Sequence, residues 1–364
     1  MVAHLRYFVV NQDQVKKFPS MEFQLSEYFI LFIASLVVVG SLTPIVRWIA
    51  MQLNVVDSPT EFHKTHKQPV PYLGGVAIVI GVCVVTYTAI LQSGQKDALG
   101  LASNVLVPAV LIGIIGLVDD IKKLEPWPRF IAQNLVGFII AAILILTDTL
   151  GSPSGNTFLD FLITIFWIVG ITNSINFFDN VDGGASGTIA ISSFFLFLLA
   201  FQGGQFSIAA LSIVLAGATM GFLLWNRPPA RIYMGDAGAL FLGLLIATLS
   251  LRFDPNPIFL SASFSIPILL LAIPILDTSV AVLSRLRRGI SPFQGGQDHL
   301  SHRLIRSGLN KKQAVLSLWL MSTFFGCIAI GISNAPFTLE RQLVFIGAIL
   351  WVVLFVSFVR TRHS

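Results

Sequence analysis

Long apolar runs alternate with polar connections along the whole chain. A bilayer-spanning helix needs about 20 mostly apolar residues. Runs near 27–50, 73–92, 102–118, 130–147, 158–176, 186–202, 206–225, 237–251, 258–284, 313–333 and 341–359 meet or approach that length, which predicts eleven helices. The eighth is short. The ninth is long and contains Pro267 and Pro274, so kinks are expected there. The long polar connections are 51–72, 119–129, 177–185, 226–236 and 285–312. Each follows an odd-numbered helix, so all five fall on one face of a membrane.

Composition supports this pattern. The chain is 55% apolar and only 11% charged, against about 25% charged in a soluble domain. One all-α integral membrane domain is expected over 27–359. An N-terminal extension, 1–26, precedes it and a short tail, 360–364, follows. Charge supplies the orientation. The face with the long loops carries 17 of the 23 lysines and arginines, and the other face 6. Basic residues favour the cytoplasmic side, so the loops and the C-terminus are expected inside and the N-terminus outside. The net charge of +5 is not gathered into one patch, and no nucleic-acid partner is expected. Cys83 and Cys327 lie in apolar runs and read as small packing residues.

The polar loops hold the candidate chemistry. Between two apolar runs stand Asn173, Asn176, Asp179, Asn180 and Asp182, followed by Gly183 and Gly184. Such a stretch marks a functional site or a solvated turn. Asp119 and Asp120 end the third run as adjacent carboxylates. Like charges that close resist joint ionisation unless a cation intervenes, so the pair suits a metal site, a general base or an exposed acidic turn. Asp236 stands at a helix start, as a cap or a ligand for a hard cation. His63, Lys64, His66 and Lys67 form a basic cluster in the first loop, and His299, His302 and Arg303 share one side of a helix in the last. No cysteine or further histidine completes a zinc set, so a phosphate is the better ligand. Asp277 lies near the inner end of the ninth run, with a structural role and Arg285 as its expected partner. Hard oxygen donors beside basic groups at a membrane face form the inventory of phosphoryl transfer.

The loops resemble a known family. Lys67-Gln-Pro-Val-Pro-Tyr-Leu-Gly-Gly75, Gly116-Leu-Val-Asp-Asp120, Asn173-Ser-Ile-Asn-Phe-Phe-Asp-Asn-Val-Asp-Gly183, Tyr233-Met-Gly-Asp-Ala-Gly238, Pro274-Ile-Leu-Asp-Thr278 and Asp298-His-Leu-Ser-His-Arg303 stand in order. They are similar to the motifs of the polyprenyl-phosphate N-acetylhexosamine-1-phosphate transferases, a family that also includes the muramoyl-pentapeptide enzyme of peptidoglycan synthesis. The resemblance covers about Asp57 to Ala314. It implies transfer of a sugar-1-phosphate from a UDP-sugar to a polyprenyl phosphate, with release of UMP, in the inner membrane of a bacterium. It implies Mg²⁺, or Mn²⁺ in its place, on Asn176 and Asp236, and Asp119 and Asp120 as catalytic groups beside the lipid phosphate. Lys67, Asn173, Asp179, Asp182, Asn226, His299, His302 and Arg303 are the implied substrate contacts. A homodimer stays open.

Two motifs depart from the family pattern. In the central one Asn180 and Gly184 stand where many members have Gly and Leu; in the last one Ser301 stands where the hexosamine enzymes usually carry a further His, and Gly295-Gly296-Gln297 where they carry Pro-Asp-Arg. These departures bear on the choice of sugar. The Pro-Val-Pro-Tyr-Leu-Gly-Gly run favours the hexosamine branch over the muramoyl-pentapeptide branch. A transporter is a third reading, because intramembrane acids also line transport paths. The acids here gather at one face instead.

Overall fold

The computed structural model describes residues 24–57, 69–94, 96–255, 260–292, 294 and 296–361. In chain order its helices are α1 Leu25–Gln52, α2 Gly74–Ser93, α3 Lys96–Lys122, α4 Pro126–Leu146, α5 Thr157–Phe178, α6 Gly184–Gln202 and α7 Phe206–Asn226. They continue as α8 Gly235–Arg252, α9 Leu260–Leu270, α10 Ala272–Arg287, α11 Leu300–Arg306, α12 Lys311–Asn334 and α13 Phe337–Arg360. One ribbon, β1 Val56–Asp57 with β2 Val70–Pro71, pairs antiparallel with Val56 opposite Pro71. Lys67 and its neighbours His63, Lys64 and His66 lie outside the described residues, as do 1–23 of the expected extension and 362–364 of the tail.

Among the described residues, ten helices are long and apolar enough to cross a bilayer, and α9 with α10 makes eleven if that bent pair is one span. The chain is a multi-pass all-α membrane protein. Its helix ends follow the polar punctuation. Asn156 caps α5 by accepting the backbone N–H groups of Phe158 and Leu159, each at 3.1 Å. Asn310 and Gln313 form a capping box at α12. α6, α7 and α8 form the enclosed centre, and α13 lies outermost.

The ninth run corrects the expectation of a single kinked helix. It divides at Leu271, and its two arms differ by 73°. Pro274 has no N–H to offer the carbonyl four residues back, Leu270, and its ring crowds that oxygen. The Ser192 hydroxyl of α6 donates to Leu270 O instead, at 2.6 Å. Trp351 of α13 donates to Ala272 O at 3.1 Å. The carbonyl that Pro274 leaves unserved, Leu270 O, thus gains a partner from α6, and α13 adds a contact at Ala272 on the other side of the break.

The C-terminal ends of α3, α5 and α7 and the N-terminal ends of α2, α4, α6 and α8 meet at one end of the bundle. Close approach there depends on small residues. A Cβ on Gly116 would lie 2.4 Å from the carbonyl oxygen of Asp236, so α3 can abut the start of α8 only with glycine at that position. Gly74 and Gly75 donate to Tyr233 O and Met234 O at 3.0 and 2.8 Å, fastening α2 to the segment that leads into α8.

Candidate active site

Four helix ends build an acidic centre. Asp119 and Asp120 close α3, Asn176 lies in the last turn of α5, and Asp236 opens α8. Asn176 Nδ2 donates to Asp236 Oδ1 at 2.7 Å. Arg129, in the first turn of α4, lies between two carboxylates. It reaches Asp119 Oδ2 at 2.6 Å and Asp236 Oδ2 at 2.5 Å. The two aspartates of α3 have separate tasks. Asp119 is buried and also accepts the Leu124 N–H at 2.6 Å. Asp120 turns to α8 and accepts the N–H groups of Asp236 and Ala237 at 2.8 and 3.1 Å. It therefore caps α8 from another helix, where an anion also complements the helix dipole.

The central loop closes one side of this centre. Gly183, at φ +74°, is the N-cap of α6, a conformation glycine adopts without a Cβ penalty. Asn226, at the end of α7, is buried and accepts from Gly183 N at 3.0 Å and from the Ser186 hydroxyl at 2.9 Å. Its Nδ2 donates to Ile232 O at 3.0 Å. Asn226 thus braces two loops. Asp182 accepts the Ala230 N–H at 3.1 Å. Burial, with Asp236 and Asp182 nearby, pushes the Asp179 carboxyl up to about 7. Burial and the field of Asp182, Asp57 and Asp179 raise the Tyr233 phenol, so Tyr233 belongs to the same pocket.

The last loop forms a second cluster. Asp277 of α10 meets the Nδ1 of His299 at 2.7 Å and accepts the Leu300 N–H at 2.7 Å. The expected Asp277–Arg285 pair is replaced by Asp277–His299, and Arg285 approaches the other ring nitrogen of His299 at 3.1 Å. Arg285 also pairs with Asp298 at 3.2 Å, and Arg288 joins it at 2.5 Å. Burial would raise the Asp298 carboxyl, but these two guanidiniums outweigh it and hold the group below the usual carboxylate range. Burial, reinforced by His299, lowers His302 to about 4, so its ring is neutral at pH 7. Arg303 has protein partners on several sides. It is buried, and it donates to Phe358 O, Thr361 O, Asp298 O and the Ser284 hydroxyl at 2.7 to 2.9 Å. It ties the last loop to the C-terminal carbonyls of α13, a favourable place for a cation.

The two clusters meet at Asn180. Its Oδ1 accepts the Ser301 hydroxyl at 2.5 Å, and its Nδ2 lies 3.5 Å from Asp277. Arg285 also lies over the Phe177 ring, 5.7 Å from its centroid. The structure thus brings together Asp119, Asp120, Asn176 and Asp236, places Asp179 and Asp182 beside them, and joins His299 and His302 through the central loop. Asn173 lies apart. Its Nδ2 donates to Gln133 at 2.6 Å and to Val169 O at 2.8 Å, an α4–α5 contact. Sequence reasoning missed Arg129, which reads there as one more cytoplasmic charge. The available signal was its place in the same short loop as the Asp119–Asp120 pair.

Asp236 and Asn176 carry hard oxygens that could serve a dication. Five aspartates gather at this end, and among the described residues the guanidinium paired with their side chains is Arg129. No group of three or more His, Cys, Asp or Glu is arranged to hold a metal among those residues. A two-residue set, Asp236 and the amide oxygen of Asn176, suits Mg²⁺, which commonly takes one or two protein oxygens and fills its shell with water and substrate phosphate.

Fold and site together define a multi-span membrane protein with an acidic, amide-bearing centre where the helix ends meet. Residues 102–254 match glycosyl transferase family 4. Over 322 residues the chain is 34% identical to the probable undecaprenyl-phosphate N-acetylglucosaminyl 1-phosphate transferase of Bacillus subtilis (strain 168), covering 87% of this chain and 88% of that protein. It is 33% identical over 324 residues to the decaprenyl-phosphate N-acetylglucosaminephosphotransferase of Mycolicibacterium smegmatis, covering 80% and 78%. The phospho-N-acetylmuramoyl-pentapeptide-transferase of Streptococcus agalactiae is more distant, at 26% over 292 residues, covering 73% and 84%. The chain belongs to glycosyl transferase family 4.

Proposed function

We propose that the chain transfers N-acetylglucosamine 1-phosphate from its UDP-sugar to polyprenyl phosphate, releasing UMP and starting a cell-envelope glycan. One observation carries this reading. Asn176, Asp236, Asp119 and Arg129 converge within hydrogen-bond distance at one end of a membrane bundle. A lipid phosphate and a soluble pyrophosphate can meet at such a place. The names of the more similar relatives favour the glucosaminyl substrate over the muramoyl pentapeptide.

The lipid phosphate oxygen attacks the phosphorus that bears the sugar. The new P–O–P bond forms as the bond to the bridging oxygen breaks, and UMP leaves with that electron pair. A phosphate monoester loses its second proton near pH 6, so the attacking group needs no base. Asp119 instead fixes Arg129, whose positive charge stands where two anions must approach. Asp120 fixes the start of α8 and with it Asp236. Neither aspartate is left as an idle nucleophile, which favours direct attack over a phosphoaspartate route. Asn176 and Asp236 would hold the Mg²⁺ or Mn²⁺, which would offset charge on the leaving phosphate. Asp179, Asp182 and Tyr233 shape the nucleotide-sugar pocket, and His299 and His302 face it from the last loop. The basic-residue bias supports a cytoplasmic setting for this end, where UDP-sugars are made.

UMP release by purified protein over a panel of UDP-sugars tests the reading. UDP-N-acetylglucosamine is expected to support release only with polyprenyl phosphate present. Preference for UDP-muramoyl-pentapeptide, or release without lipid phosphate, would overturn it.

A further inference from the structure

Behind the central loop, away from Asn176 and Asp236, lies a groove of about 540 Å³ between the end of α7, the 227–231 segment and the start of α12. Arg227, Arg231 and Lys312 line it with Trp225, Trp319 and Leu224, and no carboxylate does among the described residues. The three cations are exposed. No salt bridge to a carboxylate occupies any of them among the described residues. Arg231 lies over the Trp225 ring, 5.7 Å from its centroid. Leu224 is exposed on the groove's own wall, and Leu316 and Leu320 are exposed on α12 beside Lys312 and Trp319. The groove is therefore cationic at its rim and apolar toward the hydrocarbon, with indole rings at the boundary where such rings settle. That is the chemistry of an amphiphile with an anionic head.

The groove shares its wall with the site. Trp319 Nε1 donates to Gly183 O at 3.2 Å. Ala230 N holds Asp182, and Asn226 holds Gly183 N. A Cβ on Gly183 would stand 3.4 Å from the Cα of Arg227. Any ligand that fixes 227–231 against α12 fixes the loop that carries Asp179 and Asp182.

We propose that this groove binds the headgroup of an anionic glycerophospholipid, and that the bound lipid raises transferase activity by steadying the central loop. The binding claim stands apart from the transferase reading; the activation claim rests on it. The test uses the full chain in nanodiscs of phosphatidylcholine, alone or with phosphatidylglycerol. Native mass spectrometry reads the lipid retained, and UMP release is read separately. Wild-type protein is expected to retain phosphatidylglycerol in preference to phosphatidylcholine and to work faster with it. Arg227→Gln/Arg231→Gln/Lys312→Gln is expected to lose both effects, about fivefold in retention per charge removed, while matching wild type in phosphatidylcholine alone. Lys312→Gln, on a helix surface, removes one increment and guards against a folding defect in the triple variant. Equal retention by the triple variant, or displacement of the lipid by inorganic phosphate, overturns the binding claim. Retention without activation overturns the coupling. If neither protein releases UMP in any lipid, the transferase reading fails while retention still decides the groove.

Discussion

The Ser301 hydroxyl donates to Asn180 Oδ1 at 2.5 Å. These residues lie 121 positions apart, and both depart from the pattern their motifs otherwise follow. The central loop and the last loop thus carry a matched pair of changes. Asn180 also donates to Phe177 O at 2.9 Å, which fixes its amide plane. Ser301→Ala and Asn180→Gly are expected to raise the KM for the UDP-sugar more than they lower kcat. Because each removes the same bond, the double variant should be less impaired than the sum, by about 1 kcal/mol of coupling. A double-mutant cycle on kcat/KM measures this, and strict additivity would show that the two departures are unrelated.

Arg129 bridges Asp119 and Asp236. Arg129→Gln is expected to cut kcat/KM by about 10²-fold or more, the usual scale for a lost charge-stabilising donor. Arg129→Lys should recover only part of the loss: one nitrogen, Nη1, meets both carboxylates, so an ammonium can supply the charge, but the shorter lysine stem does not reach the same position. Steady-state kinetics on both variants check this, and a fully active Arg129→Lys would mean that only the net charge matters.

Asp120 accepts two N–H groups at the start of α8. Asp120→Ala is expected to lower stability by about 1–2 kcal/mol, as the loss of a helix cap does. Asp120→Asn keeps an acceptor and should recover much of that loss. Thermal unfolding in detergent compares them. An Asp120→Asn protein that is as stable as wild type yet inactive would assign Asp120 to the chemistry instead of the cap.

The apolar runs made most of the fold legible, because about 20 consecutive apolar residues are a signal confined to one dimension. The places of Asn176 and Asp236 at helix ends were legible too. Arg303, Asn226 and Arg129 were not, because a polar residue's partner depends on which helix ends arrive beside it. In sequence Arg303 looks like a phosphate ligand; in the fold it meets Phe358 and Thr361, more than 50 residues on. The break at Leu271 needed both Pro274 and the hydroxyl of Ser192, which the sequence does not place together.

Burial holds His302 near 4, whereas an unfolded histidine titrates near 6.5. Between those values the unfolded chain binds the extra proton. His302 therefore favours the fold fully above about pH 6.5, and this contribution is lost as pH falls toward 4. The unfolding midpoint in detergent is expected to drop over that window, and His302→Gln should flatten the drop. A variant whose midpoint falls as steeply as wild type would remove His302 from the cause.

In the proposed transferase, Asp236 and Asn176 anchor sugar-phosphate transfer. The most direct measurement is UMP release from UDP-N-acetylglucosamine by wild type and Asp236→Asn, at matched folding, with polyprenyl phosphate and with or without Mg²⁺. Wild type is expected to depend on the cation, and Asp236→Asn to fall at least about 10²-fold. An Asp236→Asn protein releasing UMP at the wild-type rate would contradict the account.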